Sequence, residues 1–567
     1  MAKKKKKVTR RQALKTMVAA GAGVAALGTG GLFLLRRRAG DGGPMPGAGG
    51  LEEFSPVDRT LGEVGPERFF GDDFNHAHGI LWKLPNDEPD PDEEVKLCVV
   101  GGGMSGLGSA YLNRDLAPVV LEQAPRFGGN SKAQSWRGLN FSLGAAYLVL
   151  PDSGSKLEAL YRELGVDRVW RAGDEETSAA LTDQGFVRDL WHKMQGPAPF
   201  IRDRNRLLAH FLDVLHEKHG QIFPDIPAPG TGAKRKAIEA LDKVSFADHL
   251  KSVLGGRPVP PRLARILESY CWSAFGASAK ELSAAAGLNF YAAEFGGIAV
   301  CPGGNAKVAE SLVERLYRDL PKGHLRPGCM VTRVRVENDG AVRVTYMLPS
   351  GRLKALRARA VVMSCPKFIA SKILVDLEPK RVEEFKSLEY RAYWVGNALL
   401  DGAPPKDMYE IYLQKGPVPD FTDIGAAAHH QRVTDVCVAN FAQEHPDGTV
   451  LSLYRALPYT GGRPETYTAD YAAVRAGFEE QLRSEILPSI GMAKAKLLDL
   501  RVSRWGHPLP IPKVGNLASG LYDRIRAPFK ERVFFVEQDN WAQAAIETAL
   551  GEAMEHAPEI RRVAQRG

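Results

Sequence analysis

The stretch KLCVVGGGMSGLGSAYL, Lys96 to Leu112, commits this chain to a strand, a tight turn and a helix in immediate succession. VKLCVV (Val95 to Val100) is a continuous, β-branched apolar run, the pattern of a parallel strand buried on both faces. Gly101, Gly103 and Gly106 then give G-x-G-x-x-G. The first glycine permits the turn, the second lets backbone approach a pyrophosphate, and the third lets helix pack on strand. An anion there meets free N–H groups and the helix dipole, with Ser105 in the first helical turn. APVVLE predicts a second strand ending at Glu122, 21 residues beyond Gly101, the spacing of an acid that binds ribose hydroxyls. A carboxylate in that place repels a 2′-phosphate and argues against NADP. The unit is an NAD(P)-binding-like, Rossmann-type βαβ start.

The residues after Glu122 decide between dinucleotides. EQAPRFGGNSKAQSWRGLNFSLGAAYL carries Gln123, Arg126, the pair Gly128–Gly129 and, further on, Gly144–Ala145. This resembles the flavin-containing amine oxidase and phytoene desaturase superfamily. The resemblance implies one FAD per chain, bound through Gly101, Gly103, Ser105, Gly106, Glu122 and Gln123. It places Arg126, Gly128 and Gly129 along the diphosphate and Gly144–Ala145 against the flavin. CPGGNAKVAESLVERL (Cys301 to Leu316) is similar to the family's P-G-G element. In the strands that follow, Val331 would touch adenine through its main chain. Near the C-terminus, ERVFFVEQDNWAQAAIETALGEAMEHA gives a strand, a turn and a helix. By resemblance Asp539 lies near the ribityl or phosphate, and the N–H groups at Ala545, Ile546 and Glu547 face the flavin pyrimidine, where negative charge builds up on reduction. This chain has VEQD where the family usually shows Ala-Gly-Glu or Gly-Asp.

The expected fold is α/β, with a Rossmann-like FAD domain (a parallel sheet plus a small antiparallel sheet) interleaved with an α+β substrate domain. The FAD domain is assigned residues 95–150, 301–380 and 500–567. The substrate domain is assigned 151–300, mostly helical, and 381–499. SRWGHPLP contains Trp505 and His507, and with PGGNA it resembles exported, spermidine-dehydrogenase-like members. Trp505, His507 and Trp541 are therefore the candidates for the substrate side, Trp541 because Ala545 stands where amine oxidases often carry an aromatic cage residue.

The first 40 residues hold eleven of the 75 Lys and Arg and none of the 67 Asp and Glu, so the remainder is slightly acidic. The basic net charge belongs to the leader, and nucleic-acid binding loses its support. The leader, residues 1–38, reads as a Tat-type signal or anchor. Arg10–Arg11 precede a weakly apolar Gly/Ala segment, Thr16 to Leu35, and Arg36 to Arg38 follow it. Residues 39–94 read as linker and N-terminal extension. The layout predicts export of a folded holoprotein by the Tat translocase to the periplasm, free or tethered by an uncleaved N-terminus. Six cysteines without a C-x-x-C pair exclude a disulfide framework and give no metal site. The leading expectation is an FAD-dependent oxidoreductase that takes hydride from an amine to flavin N5 and passes electrons to oxygen or a membrane carrier. The alternatives are a desaturase or isomerase of an apolar polyene, a flavin-binding protein without catalysis, and an NAD-dependent enzyme.

Overall fold

The computed structural model describes residues 50–566, apart from 174–176, 216–223, 225, 294, 296, 416–431, 447 and 460. The leader and nearly all of the linker lie outside the described residues. Among those described, no helix is long and apolar enough to cross a membrane.

The dinucleotide unit is built on a seven-stranded sheet. Leu325–Arg326, Val119–Leu121, Glu94–Val100 and Leu353–Met363 run parallel, and Val342–Met347 and Met330–Val336 add an antiparallel meander. Leu353–Met363 is long enough to use one edge twice. Its first half pairs with Val342–Met347 and its last three residues with Val533–Phe535. The C-terminal segment thereby joins the sheet on the side of Leu353–Met363 away from Glu94–Val100.

Both faces of this sheet are covered, which is why its strands read as unbroken apolar runs. Leu97, Val99, Val120, Ala360 and Val362 share one core with Leu107, Ala110, Leu312 and Leu550 from three helices. Cys98, Val100, Val119, Leu121, Val361 and Met363 face the other core. The helices Met104–Leu112 and Ile546–Gln565 pack closely because Gly108 leaves room: a Cβ there would lie 2.9 Å from a Leu550 methyl.

The substrate unit is an eight-stranded sheet with helices on its outer side. Its long central strands are Tyr390–Leu400, Thr449–Leu457 and Leu497–Pro510. The last of these moves the expected boundary. Residues 500–510, assigned to the FAD domain, are most of a substrate-sheet strand, so the chain returns to the FAD sheet only after Pro510. Short strands Ser178–Thr182 and Gly185–Arg188 extend the same sheet from a region expected to be mostly helical. Residues 50–94 are woven into both units: Val57–Asp58 pairs with Ala133–Gln134, and Phe70–Gly71 pairs with Ser503–Arg504. The sheet rows facing the dinucleotide unit carry Tyr393 opposite Trp505, and Tyr454 between Asp435 and Val395. This face packs on Leu143 and Ala146.

Candidate active site

A cavity of about 1260 Å³ runs along the C-terminal ends of the parallel strands. It exceeds the roughly 300–1,000 Å³ of an ordinary small-ligand pocket, which suits a long dinucleotide with a substrate beyond it. Its position follows the rule that open α/β sheets bind ligands outside the carboxyl ends of their strands.

The glycine turn forms one end. Gly101 has φ of +105°, and a Cβ on it would sit 2.4 Å from the Ser364 carbonyl oxygen. Gly106 is backed against the same turn and does not line the cavity, whereas Gly101, Gly103 and Ser105 do. The helix that opens at Met104 has no side-chain cap, so its first N–H groups remain free for an anion. Glu122 closes the turn: one carboxylate oxygen accepts the Gly102 N–H at 2.7 Å and the other the Ala124 N–H at 2.8 Å. Each oxygen keeps a lone pair for a ribose hydroxyl. Gln123, Gly128, Gly129 and Val331 line the same stretch. Arg126 also lines it, but its guanidinium turns to the N-terminal extension, donating to the Glu52 and Ser55 carbonyls and pairing with Asp58.

Two further helix N-termini meet the cavity. The PGGN loop leads into Ala306–Asp319, and its Asn305 N–H donates to the Ala145 carbonyl at 3.1 Å. Asn305 is 1% exposed and lines the cavity, yet both of its side-chain polar atoms lack a protein partner. Buried amides are ordinarily satisfied, so this residue is waiting for a ligand. The PGGNA motif by itself does not mark Asn305 as a site residue. The helix Ile546–Gln565 likewise starts uncapped, with Ala545 and Ile546 on the cavity wall. In its first turn Glu547 is buried; one oxygen accepts the Val149 N–H at 2.7 Å and the other has no partner. Burial pushes its carboxyl up to about 8.

Asp539 lines the cavity and accepts the Lys367 main-chain N–H at 3.0 Å and the Tyr390 hydroxyl at 2.5 Å. Lys367 is fully buried; its ammonium pairs with Glu537 and bonds Asn540. Burial, then the Asp539 charge, raise the Glu537 carboxyl, and Lys367 opposes them. This lysine ties the loop after the Leu353–Met363 strand to the VEQDN turn, and sequence reasoning missed it. Its only signal was a lysine directly behind the apolar run AVVMSCP.

Of the three substrate-side candidates, only His507 reaches the cavity. It stands in the Leu497–Pro510 strand with its ring 4.0 Å from Phe368, centroid to centroid, and its Nε2 has no partner. Burial, then the charges of Arg463 and His78, holds it neutral. Trp505 is placed behind the wall instead. Its indole N–H donates to the Leu143 carbonyl at 2.6 Å, and its ring backs Gly144, whose own carbonyl accepts the Tyr454 hydroxyl. Gly144 is therefore one layer from the cavity, while Ala145 lines it. Trp541 is core. It bonds Glu552 at 2.8 Å and lies under Arg526, because its strand-to-helix turn points inward.

A model of the family described as flavin containing amine oxidoreductase matches residues 104–557. The chain belongs to that family. It is 22% identical to Oxidoreductase PigB of Serratia sp. (strain ATCC 39006) over 518 residues, covering 83% of this chain and 75% of that one. Among solved structures, a putrescine oxidase redesigned at its cofactor site superposes with a TM-score of 0.60 at 16% identity, over 82% of this chain and 99% of that chain. Cyclohexylamine oxidase from Brevibacterium oxydans IH-35A gives 0.56 at 16% identity, over 83% and 100%. The protein is an FAD-dependent oxidoreductase with the fold of these oxidases.

The cavity fits that cofactor: an uncapped helix start for the diphosphate, an acid for ribose, an orphaned Asn305 amide, and uncapped N–H groups at Ile546. When bound, FAD supplies a two-electron acceptor for hydride. The chain's own groups would orient it, exclude water and offer it the N–H groups of three helix N-termini.

Glu547 makes a pH prediction. Its folded-state value lies above the carboxyl's ordinary one, so between about 4.5 and about 8 the folded chain holds a proton that the unfolded chain has released. Stability therefore falls as pH rises through that window. The thermal midpoint of Glu547→Gln should match the native chain near pH 4.5 and exceed it progressively up to about pH 8. A constant gap across the range would contradict a neutral Glu547.

Proposed function

We propose that this protein oxidises a primary or secondary amine. The observation that carries the reading is His507: a neutral, partly buried imidazole whose buried Nε2 has no partner, at the edge of the cofactor cavity. An amine can lose hydride from its α-carbon only while its nitrogen lone pair is free to stabilise the developing iminium. A protonated amine has none. Phe368 lines the cavity beside His507 and Tyr390 backs the imidazole, an aromatic setting whose desolvation lowers an amine's pKa. His507 then holds the neutral amine through one hydrogen bond without adding charge. The amine-oxidising neighbours of this fold support the same substrate class.

Anaerobic stopped-flow mixing with amines, amino acids, alcohols and polyenes tests this. An amine should bleach the flavin at a rate that rises with pH as the substrate loses its proton. His507→Ala should slow that bleaching by about tenfold or more with FAD content unchanged, a barrier increase of about 1.4 kcal/mol. Bleaching by a polyene or alcohol, and by no amine, would sink the amine reading.

The same proposal includes export. Arg10–Arg11 and the weakly apolar segment behind them support Tat delivery of the folded holoprotein to the periplasm, where electrons leave to oxygen or a membrane carrier. Changing both arginines to lysine should strand the protein in the cytoplasm. Undiminished periplasmic enzyme would count against the route.

A further inference from the structure

A second cavity, of about 100 Å³, lies at the outer part of the substrate sheet and shares no lining residue with the cofactor cavity. Its walls are aromatic. Trp191, Tyr291 and Phe295 meet edge to face, with centroids 6.0, 6.2 and 5.9 Å apart, and the Trp191 indole N–H donates to the Tyr291 oxygen at 2.7 Å. Aromatic enclosures of this kind attract cations through the ring quadrupoles.

Two polar side chains interrupt the apolar lining. Gln414 is 3% exposed, and its side-chain oxygen has no hydrogen-bond partner among the described residues. A buried carbonyl left in that state is costly, so the cavity lacks a donor. Asp189 lines it as well and contacts His192 at 2.7 Å.

Two acid side chains also stand behind the wall. The Tyr412 hydroxyl, on the lining, donates to Glu410 at 2.9 Å, and Asp435 lies opposite Tyr412 in the strand register. Both acids are buried, and burial raises Asp435 to about 6. The Arg265 guanidinium bonds the Gln414 main-chain oxygen, but Asp183 matches its charge at 2.8 Å. The cavity also connects structurally to the flavin end: Ile298 on its wall pairs with Val149, whose N–H is held by Glu547.

We propose that this cavity binds a compact primary alkylammonium group, its N–H donors directed to Gln414 and its charge held by the rings and the neighbouring carboxylates. The volume equals roughly three water molecules at about 30 Å³ each, room for a chain of about four heavy atoms. The inference deepens the amine reading above and rests on it for the ligand class. Binding is nevertheless read in the flavin-reduced protein without oxygen, where no amine oxidation takes place.

The experiment is anaerobic calorimetric titration of the flavin-reduced holoenzyme, which cannot oxidise an amine, with propylammonium chloride, and with 1-propanol as the neutral probe of equal heavy-atom count. Propylammonium should bind saturably and 1-propanol should not. Gln414→Leu should weaken binding about tenfold, and Gln414→Glu should tighten it. Each variant's FAD content and circular dichroism verify its fold. Equal binding of the alcohol, no binding of either probe, or an affinity that moves with neither variant would overturn the proposal. Flavin bleaching by an amine in the stopped-flow screen would stand regardless, so the two readings fail separately.

Discussion

Gly106→Ala yields a chain that no longer holds FAD. The methyl would sit 1.9 Å from the Gly101 carbonyl oxygen and 3.2 Å from the Ser364 Cβ. Both obstacles are fixed by the turn and the adjacent strand rather than by the tip of a flexible side chain. The helix must back away, and the turn that presents its N–H groups opens with it. FAD affinity should fall at least about 100-fold, or about 2.8 kcal/mol, with a lower unfolding midpoint even in the apoprotein. Gly103→Ala is the informative companion. A Cβ there meets nothing nearer than the Gly129 Cα at 3.7 Å, so the apoprotein should fold with a native midpoint. Its methyl instead enters the space of the diphosphate, and FAD should be lost all the same. Full flavin loading of Gly103→Ala would show that the diphosphate lies elsewhere.

Lys367→Met should be the most destabilising change outside the glycine turn. The ammonium is fully buried beside Glu537 and Asn540, above the rings of Phe385 and Phe535. Removing it leaves Glu537 without its counter-charge, and breaking a buried pair in this way costs about 3–5 kcal/mol. The variant's Glu537 can escape by taking a proton. The unfolded chain releases that proton above about pH 4.5, so the deficit should deepen as pH rises toward 8. Adding Glu537→Leu removes the stranded acid and should recover most of the loss, because an apolar pair of similar volume is often no worse than a buried ion pair. Urea midpoints of the single and double variants measure this directly. A single variant as stable as the native chain would mean that Lys367 is not what joins the SCPK loop to the VEQDN turn. Because Asp539 and the start of the Ile546 helix hang on that turn, FAD occupancy should fall along with stability.

The FAD unit was legible because its constraints are local. A tight turn, a close backbone approach and a helix start each demand a residue type at a set spacing, so Gly101, Gly103, Gly106 and Glu122 announced the site before any fold was known. The same holds for the apolar strands, whose unbroken runs follow from burial on both faces. Tertiary packing alone decided the rest. Trp505 and His507 stand two apart on one strand, yet the first supports Leu143 and Gly144 from behind while the second enters the cavity. The ladder to Tyr390–Leu400 is irregular between Trp505 and Leu509, so simple strand alternation does not set the direction of His507, and the packing around Phe368 and the Gly144 loop separates the two roles. Trp541 was a reasonable cage candidate by position in the chain. The inward turn after Phe535 gave it to Glu552 instead. Lys367 and Asn305 were invisible as site residues because a buried lysine or an orphaned amide is defined by what surrounds it, and those surroundings come from segments up to about 170 residues away. Local spacing encodes backbone geometry, and so the sequence by itself determined the cofactor. Which side chains meet across the two sheets is a sum of long-range packing, and so only the tertiary structure decided the substrate wall.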